Sequence, residues 1–576
     1  MVQRHFSLID DPWIKVIDDQ NVEKTVSLKT LFEHAGDYRQ LAGEMKSQDL
    51  AILRFLLAIL NTVYSRFNAD NEPYDWLTLD DTTLKVDSID EDIEPDEINE
   101  DLLTTWHKLY QNGHFSKIVE DYLSLYSRHF DLFDEDVPFY QVTKSQYDSF
   151  VPEEKSIEHG KGTVAIKQLD RTISESNNTP DIFSPRTNQT KNKISLDALV
   201  RWLITYQNYS AVTDKTKVIS KENFTNSKGW LYELNPVYVI GNSLFETLML
   251  NMILVNGQEQ DIESYIQAPV WEQTVNEYVD ERLSQILPNN ITELYTLWSR
   301  LIHIEWVGDS PVIFSAMLPK VNNDSAFVEP MTTWKFDKKH KKTKPDIRRI
   351  NSLSKAMWRN FGQYVSISGD DVSKEPGVVK WLDLLKSIKL IPGNYLIHLA
   401  TAGLISDGKP SQAPIAEFFD DMQINADVLF DKDPIKKNYW PKRIDDMVVL
   451  TNKMGGVLNY FAHDVAKFRG IADPNSFADR VTSQYYDKLN MPFREWLSGL
   501  SNDDERDEKE NIWKSQAYHL AKEVGTNQFK RASMKEIRGK SNQDKEGKKV
   551  SNIFISFKHF IVLLFHIMNY SNKGGR

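Results

Sequence analysis

The C-terminal part of the chain shows the clearest hydrophobic pattern. From about residue 438 onward, apolar residues recur at the spacing of one helix face, and Asp473-Pro474-Asn475 marks a helix start. The predicted helices are 443–468, 476–500, 505–524 and 550–570. Four amphipathic helices with short connections are typical of a bundle. The connection 528–549 is the exception, because it is long, basic and contains glycine.

Short strand and helix patterns alternate ahead of this helical region. A strand, a turn and a second strand are predicted over 6–16, and a helix is predicted around Asp49, with Arg54 at the edge of its buried face. No internal repeat is visible. We therefore expect an α+β protein, in which a large mixed α/β domain over 1–430 precedes a four-helix bundle over 431–576.

A long polar segment interrupts the N-terminal part. Residues 155–193 are rich in Ser, Thr, Asn and Lys and show little periodicity, which predicts a loop. Its one aromatic residue, Phe183, stands near Arg186 and Asn188. This combination suits stacking on, and hydrogen bonding to, unpaired nucleotides. An aromatic that anchors the loop on the protein explains the composition equally well.

A hairpin is predicted in the last third of the chain. The apolar run 395–405 leads into Asp407-Gly408, and two prolines then enclose Ser411-Gln412-Ala413. Turn residues in this order predict a hairpin tip that holds the Gln412 amide outward. A surface turn without function is the alternative, since loops of this composition are common.

Composition indicates a folded protein of a reducing compartment. The 576 residues exceed the size of one core, and 14 Trp, 23 Tyr and 28 Phe supply apolar area for at least two domains. The absence of cysteine excludes disulfides, cysteine-ligated zinc, iron–sulfur clusters and thiol catalysis. The apolar runs 50–60 and 561–565 are too short to span a bilayer. We expect a cytoplasmic protein with no membrane partner.

The net charge of −14 is unevenly distributed. Residues 70–101 contain 14 acids and one base, whereas 335–349 and 513–576 are basic. Basic tracts hold phosphate backbones whatever the total charge of the protein, although solvated surface is the simpler explanation of any single tract. The residues that we expect to contact DNA backbone without sequence preference are Lys338, Lys339, Lys341, Lys342, Lys344, Lys530 and Arg531.

Motifs of catalysis are not found in the sequence. It lacks a phosphate-binding glycine loop followed by lysine, a paired-histidine zinc motif, Gly-x-Ser-x-Gly and a dinucleotide fingerprint. His463-Asp464 is a dipeptide that some metal-dependent nucleases use, and it keeps a nuclease hypothesis open. An ordinary pair on a helix is the simpler interpretation. We expect no enzymatic activity, metal or cofactor.

Several stretches together resemble one family, the large subunit of the type I-E CRISPR Cascade surveillance complex (the CasA family). They are Leu8-Ile9-Asp10-Asp11-Pro12-Trp13-Ile14, the aliphatic helix after Asp49, Val137-Pro138-Phe139-Tyr140-Gln141, Ser411-Gln412-Ala413-Pro414-Ile415-Ala416-Glu417 and the C-terminal bundle. The resemblance extends over essentially the whole chain. Each motif is short, and their order and spacing make the match.

The resemblance implies a non-catalytic subunit that recognises the protospacer-adjacent motif on double-stranded DNA and starts strand separation. The implied partners are target DNA, the 5′ end of the guide RNA, the other Cascade subunits and a helicase-nuclease effector. In the family a glutamine at a hairpin tip acts as a wedge beside the motif, and Gln412 matches it. Ser411 and Lys409 join the same expected DNA contacts.

Other residues carry over by the same resemblance. Lys320 matches a lysine that reads the minor groove, where a cation suits the acceptor-only edge of A·T pairs. The family's glycine loop has no glycine here, so Lys215 or Lys217 is expected to substitute for its backbone contact. The loop with Phe183 matches the one that holds the guide RNA in relatives. A scaffold that grips RNA and never touches DNA remains an alternative.

Overall fold

The structure, a computed structural model, describes most of the chain. The described residues are 4–160, 162–172, 190, 192–211, 215–226, 228–255, 262–322, 329–337, 339–348, 350, 355–365, 375–405, 415–432, 439–544 and 547–569. They belong to two compact units. The first comprises Met1–Leu353, Lys374–Leu390 and His398–Asp421, and the second comprises Ser354–Ser373, Ile391–Ile397 and Met422–Arg576. The two domains expected from the sequence, 1–430 and 431–576, remain a prediction.

Strands in the described part are short and form small sheets. They are β1 (Ile14–Asp18), β2 (Glu23–Val26), β3 (Tyr38–Leu41), β4 (Leu77–Leu79), β5 (Val86–Ile89), β6 (Tyr238–Ile240), β7 (Arg300–Val307), β8 (Ser310–Met317), β9 (Trp334–Asp337), β10 (Lys342–Pro345), β11 (Leu396–Ile405), β12 (Ala416–Asn425), β13 (Lys540–Asp544) and β14 (Gly547–Ser551). Two sheets have three strands, in the orders β2-β1-β3 and β12-β11-β6. Antiparallel pairs join β4 to β5, β7 to β8, β9 to β10 and β13 to β14.

Helices make up the larger share of the structure. They are α1 (Leu28–Glu33), α2 (Lys46–Tyr64), α3 (Pro95–Asn112), α4 (Ile118–Leu125), α5 (Lys144–Phe150), α6 (Ile166–Leu169), α7 (Leu196–Tyr209), α8 (Leu244–Asn251), α9 (Val275–Leu283), α10 (Ile291–Thr296), α11 (Gly377–Ser387), α12 (Ala426–Leu429), α13 (Trp440–Arg469), α14 (Pro474–Ser498), α15 (Arg506–Lys530), α16 (Met534–Arg538) and α17 (Ile553–Met568). This mixture of helices and small sheets confirms the predicted α+β class with a helical C-terminal region.

Helix α2 is the centre of the first unit. Its residues from Ser47 to Tyr64 are all buried, which is typical of a helix enclosed on every side. Phe55 makes edge contacts with five aromatic rings, those of Trp13, Phe130, Phe139, Tyr140 and Trp271, at centroid distances of 5.7 to 6.2 Å. Three of the stretches that carry the family resemblance therefore contribute to this core: 8–14, α2 itself and 137–141.

The prediction that Arg54 lies at the edge of the buried face of α2 is wrong. Its side chain is fully buried, and its guanidinium donates to both carboxylate oxygens of Glu329 at 2.8 Å. Trp230 Nε1 also donates to Glu329, at 2.6 Å. A bidentate ion pair with a further donor compensates the loss of hydration of both charges. The partner lies 275 residues away, so the local pattern around Arg54 could not indicate it.

The second unit consists mainly of α13 to α17. Helix α13 packs against α14, α15 and α17. Asp473 accepts hydrogen bonds from the backbone of Asn475 and Ser476, so it caps α14 at the predicted start. The long basic connection 528–549 contains the end of α15, all of α16 and β13, and the first part of β14. None of the helices in the described residues is long and apolar enough to cross a bilayer.

Candidate nucleic-acid interface

Lys320 lies just beyond the end of the β7–β8 hairpin. Its neighbours Leu318 and Val321 are 0% and 9% exposed, while Lys320 is exposed. Between them, the Pro319 carbonyl accepts a hydrogen bond from the guanidinium of Arg282. The backbone on both sides of Lys320 is therefore held by the protein, and its side chain is directed to the surface.

Residues 216–218, at the end of the segment expected to replace the family's glycine loop, lie beside the same hairpin end. The Met317 backbone N–H donates to the Thr216 carbonyl at 2.9 Å, and the Val218 N–H donates to the Met317 carbonyl at 3.1 Å. Lys217 and Met317 form a parallel bridge. Met317 is three residues before Lys320, so the structure brings together two groups of predicted contacts that are about one hundred residues apart in the sequence.

The two lysines of this segment differ in their surroundings. Lys215 is exposed. The Lys217 ammonium donates to the Phe224 carbonyl and lies 4.9 Å from the centre of the Phe224 ring. An ammonium held by its own loop has fewer donors left for a phosphate or a base, so Lys215 is the better placed of the two.

The predicted hairpin is present as β11 and β12, which join through a hydrogen bond from Ile415 N–H to the Ile405 carbonyl at 2.8 Å. The tip with Lys409, Ser411 and Gln412 lies outside the described residues. Glu417, in β12, accepts from the backbone N–H and the hydroxyl of Ser47, both at 2.7 Å, at the start of α2. This contact fixes the stem of the hairpin on the central helix of the first unit.

Phe418 fixes the stem on its other face. Its ring occupies the space beside Gly403, where an added Cβ would lie 2.8 Å from Phe418 Cε1. The Arg348 guanidinium lies 4.4 Å from the centre of the same ring, in the arrangement of a cation–π contact. The Phe418 side chain is 5% exposed, so it is a core contact at the base of the hairpin.

The described residues of the basic tract 335–349 include most of β9 and all of β10, which pair with each other, and several of its lysines form ion pairs. Asp337 accepts from His340 at 2.9 Å and from Lys344 at 2.5 Å, and these hydrogen bonds, that of His340 first, hold the pKa of its carboxyl well below the ordinary range. Lys335 pairs with Asp346 at 2.5 Å. The predicted backbone contacts that remain exposed here are Lys339, Lys341 and Lys342, while Lys338 lies outside the described residues.

The other predicted backbone contacts follow α15. Lys530 is its last residue, Arg531 comes next, and both are exposed. The helix C-terminus is a favourable place for cations, because the last carbonyls carry partial negative charge. Helix stabilisation therefore explains these two residues as well as phosphate binding does.

The predicted RNA contacts Phe183, Arg186 and Asn188 lie outside the described residues. Among the described residues of the segment expected to be a loop, 155–193, residues 166–169 form the buried helix α6. Arg171, which follows α6, is 7% exposed, and burial lowers the pKa of its guanidinium to about 10. Little periodicity is available in a four-residue helix, so the pattern could not reveal it.

His463 and Asp464 lie on α13 without the surroundings of a metal centre. Asp464 accepts a hydrogen bond from the Ser556 hydroxyl at 2.8 Å, which joins α13 to α17. Across the residues that the structure describes, no group of three or more His, Asp or Glu side chains is placed to hold a metal ion. The observed role of Asp464 is a contact between two helices.

A sequence model of the CRISPR-associated protein Cse1 family matches residues 7–524 of this chain. The chain belongs to the Cse1 family. A curated relative from Thermus thermophilus, CRISPR-associated protein CasA/Cse1, is 22% identical over 374 residues, which are 64% of this chain and 62% of the relative. The match thus spans less than two thirds of that relative's length. Its double name also confirms the resemblance to the CasA family.

Solved Cse1 structures share the fold. Thermobifida fusca Cse1 superposes with a TM-score of 0.74 at 22% identity, covering 98% of each chain. Cse1 from Acidimicrobium ferrooxidans gives 0.69 at 18% identity, covering 99% of each chain. A chain of a CRISPR RNA-guided surveillance complex gives 0.65 at 14% identity, covering 97% of this chain and 99% of that one. At such identities the similarity establishes the architecture of this Cse1 family member.

Two residues beside the predicted contacts were not expected from the sequence. Arg282 is buried under the Lys320 turn, and no local pattern distinguishes it from a surface arginine of α9. Phe336 is 39% exposed beside the lysines of β9–β10. A signal for Phe336 did exist, because an aromatic between Lys335 and Asp337 breaks an otherwise charged run.

Proposed function

We propose that this chain is the large subunit of an RNA-guided CRISPR surveillance complex. In this role it recognises the protospacer-adjacent motif on double-stranded DNA, starts strand separation and helps to recruit the helicase-nuclease effector. Membership of the Cse1 family supports the role in CRISPR defence. The observation that carries DNA recognition is the pairing of residues 216–218 with Met317, which places Lys215 and Lys320 at one end of the same hairpin.

Lys320 reads the motif from the minor groove in this proposal. The minor-groove edge of A·T pairs offers acceptors only, and an ammonium is a donor only, so the two match. Lys215 contacts an adjacent phosphate, which orients the duplex without reading its sequence. Because A·T and T·A look alike in this groove, recognition by one lysine tolerates several motif sequences.

Gln412 acts as the wedge that starts strand separation. Insertion of a side chain between base steps costs about a few kcal/mol of stacking, which pairing with the guide RNA recovers. The stem β11–β12, fixed through Glu417 and Phe418, supports the tip that carries Lys409, Ser411 and Gln412. A fixed stem helps, because a wedge on mobile strands would lose more conformational entropy on insertion.

The remaining basic residues increase the rate of the search. Lys338, Lys339, Lys341 and Lys342, with Lys530 and Arg531, bind duplex backbone without sequence preference through release of counterions. Lys344 contributes less than these, because it is paired with Asp337. Phe183, Arg186 and Asn188 hold the 5′ end of the guide RNA by stacking and hydrogen bonding. The chain thus works as a non-catalytic subunit within a ribonucleoprotein that includes the other Cascade subunits.

The test uses the reconstituted complex and two DNA duplexes, one with the motif and one with it scrambled. We expect Lys320→Ala to lower the affinity ratio between the duplexes by about tenfold, since one specific contact contributes about 1–3 kcal/mol. Gln412→Ala slows R-loop formation. Lys117, whose side chain is 73% exposed, provides the control Lys117→Ala. Unchanged ratio and unchanged R-loop formation in both variants would contradict the proposal.

Two experiments separate the alternative functions. Cleavage of DNA by the isolated chain with Mg²⁺ or Mn²⁺, abolished by His463→Ala, would support a nuclease centred on His463 and Asp464. The hydrogen bond between Ser556 and Asp464 does not favour it. Crosslinking of Lys320 or Gln412 to target DNA would exclude a scaffold that grips only RNA.

A further inference from the structure

Arg282 has an unusual set of hydrogen bonds for a buried cation. It lies on α9 and is 4% exposed. One terminal nitrogen donates to the Trp298 carbonyl at 2.6 Å and to the Tyr278 hydroxyl at 2.8 Å, and the other donates to the Pro319 carbonyl. These acceptors are neutral. Loss of hydration by a guanidinium is costly. The hydrogen bonds of Arg282 meet part of this cost and hold the Trp298 and Pro319 carbonyls in place.

The acceptors lie at the two free ends of one hairpin. Trp298 is two residues before β7, and Pro319 is two residues after β8. The planar guanidinium donates in two directions at a fixed angle, so Arg282 joins both ends. Tyr278 completes the link, because its hydroxyl also accepts from the Trp298 N–H at 2.8 Å and donates to the Trp298 carbonyl at 3.2 Å.

Lys320 directly follows the carbonyl that Arg282 holds. Leu318 is fully buried before it and Val321 is buried after it. The Leu318 N–H further donates to the Ser299 carbonyl at 3.3 Å. The chain path at Lys320 is therefore determined by contacts on both sides, and Arg282 holds the residue directly before Lys320.

We propose that Arg282 is a positioning residue for DNA-motif recognition, which acts by holding the Pro319 carbonyl and so the direction of Lys320. The inference rests on the proposed function of Lys320. A lysine on fixed backbone loses less conformational freedom when it enters a DNA groove. A misdirected lysine keeps its charge but no longer aligns with the base edges that it reads. Arg282 thus contributes to discrimination between duplexes with and without the motif, and not to the electrostatic attraction of DNA.

The test measures two quantities in the reconstituted complex: the affinity ratio between duplexes with and without the motif, and the salt dependence of binding to the duplex without it. We expect Arg282→Met to lower the ratio by about tenfold, as for Lys320→Ala, and to leave the salt slope unchanged, because no phosphate contact is removed. Arg282→Lys should retain part of the ratio, since an ammonium can reach one of the two carbonyls.

A double-mutant cycle separates positioning from a general loss of structure. In the Lys320→Ala background, Arg282→Met should lower the ratio by less than about twofold, since the residue it positions is already gone. A similar loss in both backgrounds would overturn the proposal, as would an unchanged ratio in the single variant. If Lys320→Ala itself leaves the ratio unchanged, the proposed function fails first.

Tyr278→Phe keeps the inference testable if Arg282→Met does not fold. It removes only the Tyr278 hydroxyl, which bonds to both Arg282 and Trp298, and it leaves the direct bond from Arg282 to the Trp298 carbonyl in place. We expect a loss of about threefold in the ratio, which corresponds to the net contribution of about one hydrogen bond. Tyr140→Phe is the matched control, because the buried Tyr140 hydroxyl has no hydrogen-bond partner among the described residues. Equal ratios for the two phenylalanine variants would contradict the positioning role.

Discussion

The carboxyl of Glu293 should make the first unit less stable as pH rises. Glu293 is half-buried on α10. Burial, and secondarily the charge of Glu281, raises the pKa of Glu293 from 4.5 to about 7. Glu293→Gln replaces the carboxyl with a neutral amide of the same shape, so it removes the titration and keeps the packing.

The sign follows from the raised pKa. Between about pH 4.5 and 7 the folded state holds a proton that the unfolded state releases, so the free energy of unfolding decreases as pH rises through this window. The shift from 4.5 to about 7 corresponds to about 3 kcal/mol for a fully desolvated group. Screening by solvent at a half-buried site reduces the expected difference to about 1–2 kcal/mol.

The assay is urea unfolding, followed by tryptophan fluorescence, of the full chain at pH 4.5, 6 and 8. We expect Glu293→Gln to equal the wild type at the lowest pH and to exceed its free energy of unfolding by about 1–2 kcal/mol at pH 8. Glu281→Gln removes the second cause of the shift and should reproduce part of the gain. A difference between Glu293→Gln and wild type that stays constant with pH would refute the reasoning.

Three further predictions concern contacts of the first unit. Glu329→Ala leaves the Arg54 guanidinium buried without its carboxylate and should lower the free energy of unfolding by about 3–5 kcal/mol; replacing Arg54 and Glu329 together with apolar residues should cost less, and equal costs would contradict the ion-pair explanation. Glu417→Ala removes two hydrogen bonds from the start of α2 and should cost about 1–3 kcal/mol, whereas Glu417→Gln, which keeps an acceptor, should recover most of the loss in thermal unfolding. Gly403→Ala places a Cβ against Phe418 and should cost about 1–3 kcal/mol; a compensating Phe418→Leu that restores none of the melting temperature would count against the clash.

The sequence predicted features that depend on neighbouring residues. The helix start at Asp473 and the paired runs around Gln412 rest on local propensity and turn chemistry, and the structure contains α14 and the β11–β12 stem at those positions. The pairing of 216–218 with Met317 was not predictable from propensity, because parallel bridges between distant segments leave no local pattern. The link from Arg282 to Pro319 escaped prediction for the same reason.

Counting charges was also insufficient for the tract 335–349. The sequence shows eight bases against two acids. It does not show that Asp337 forms an ion pair with Lys344, or that Asp346 forms one with Lys335. Pairing across the antiparallel β9–β10 hairpin sets which ammonium groups meet a carboxylate. The usable charge of a basic tract is therefore a property of its register as well as of its composition.

The cluster of rings around Phe55 is a core in which substitutions are costly, unlike the exposed positions of the candidate interface. Two of the stretches that carry the family resemblance, 8–14 and 137–141, supply rings that pack on Phe55 of α2, whereas Lys215 and Lys320 are exposed. Surface substitutions usually alter stability by less than about 0.5 kcal/mol. Under the proposed function, an exchange of Lys320 would therefore change the motif that is read while the core around Phe55 stays unchanged.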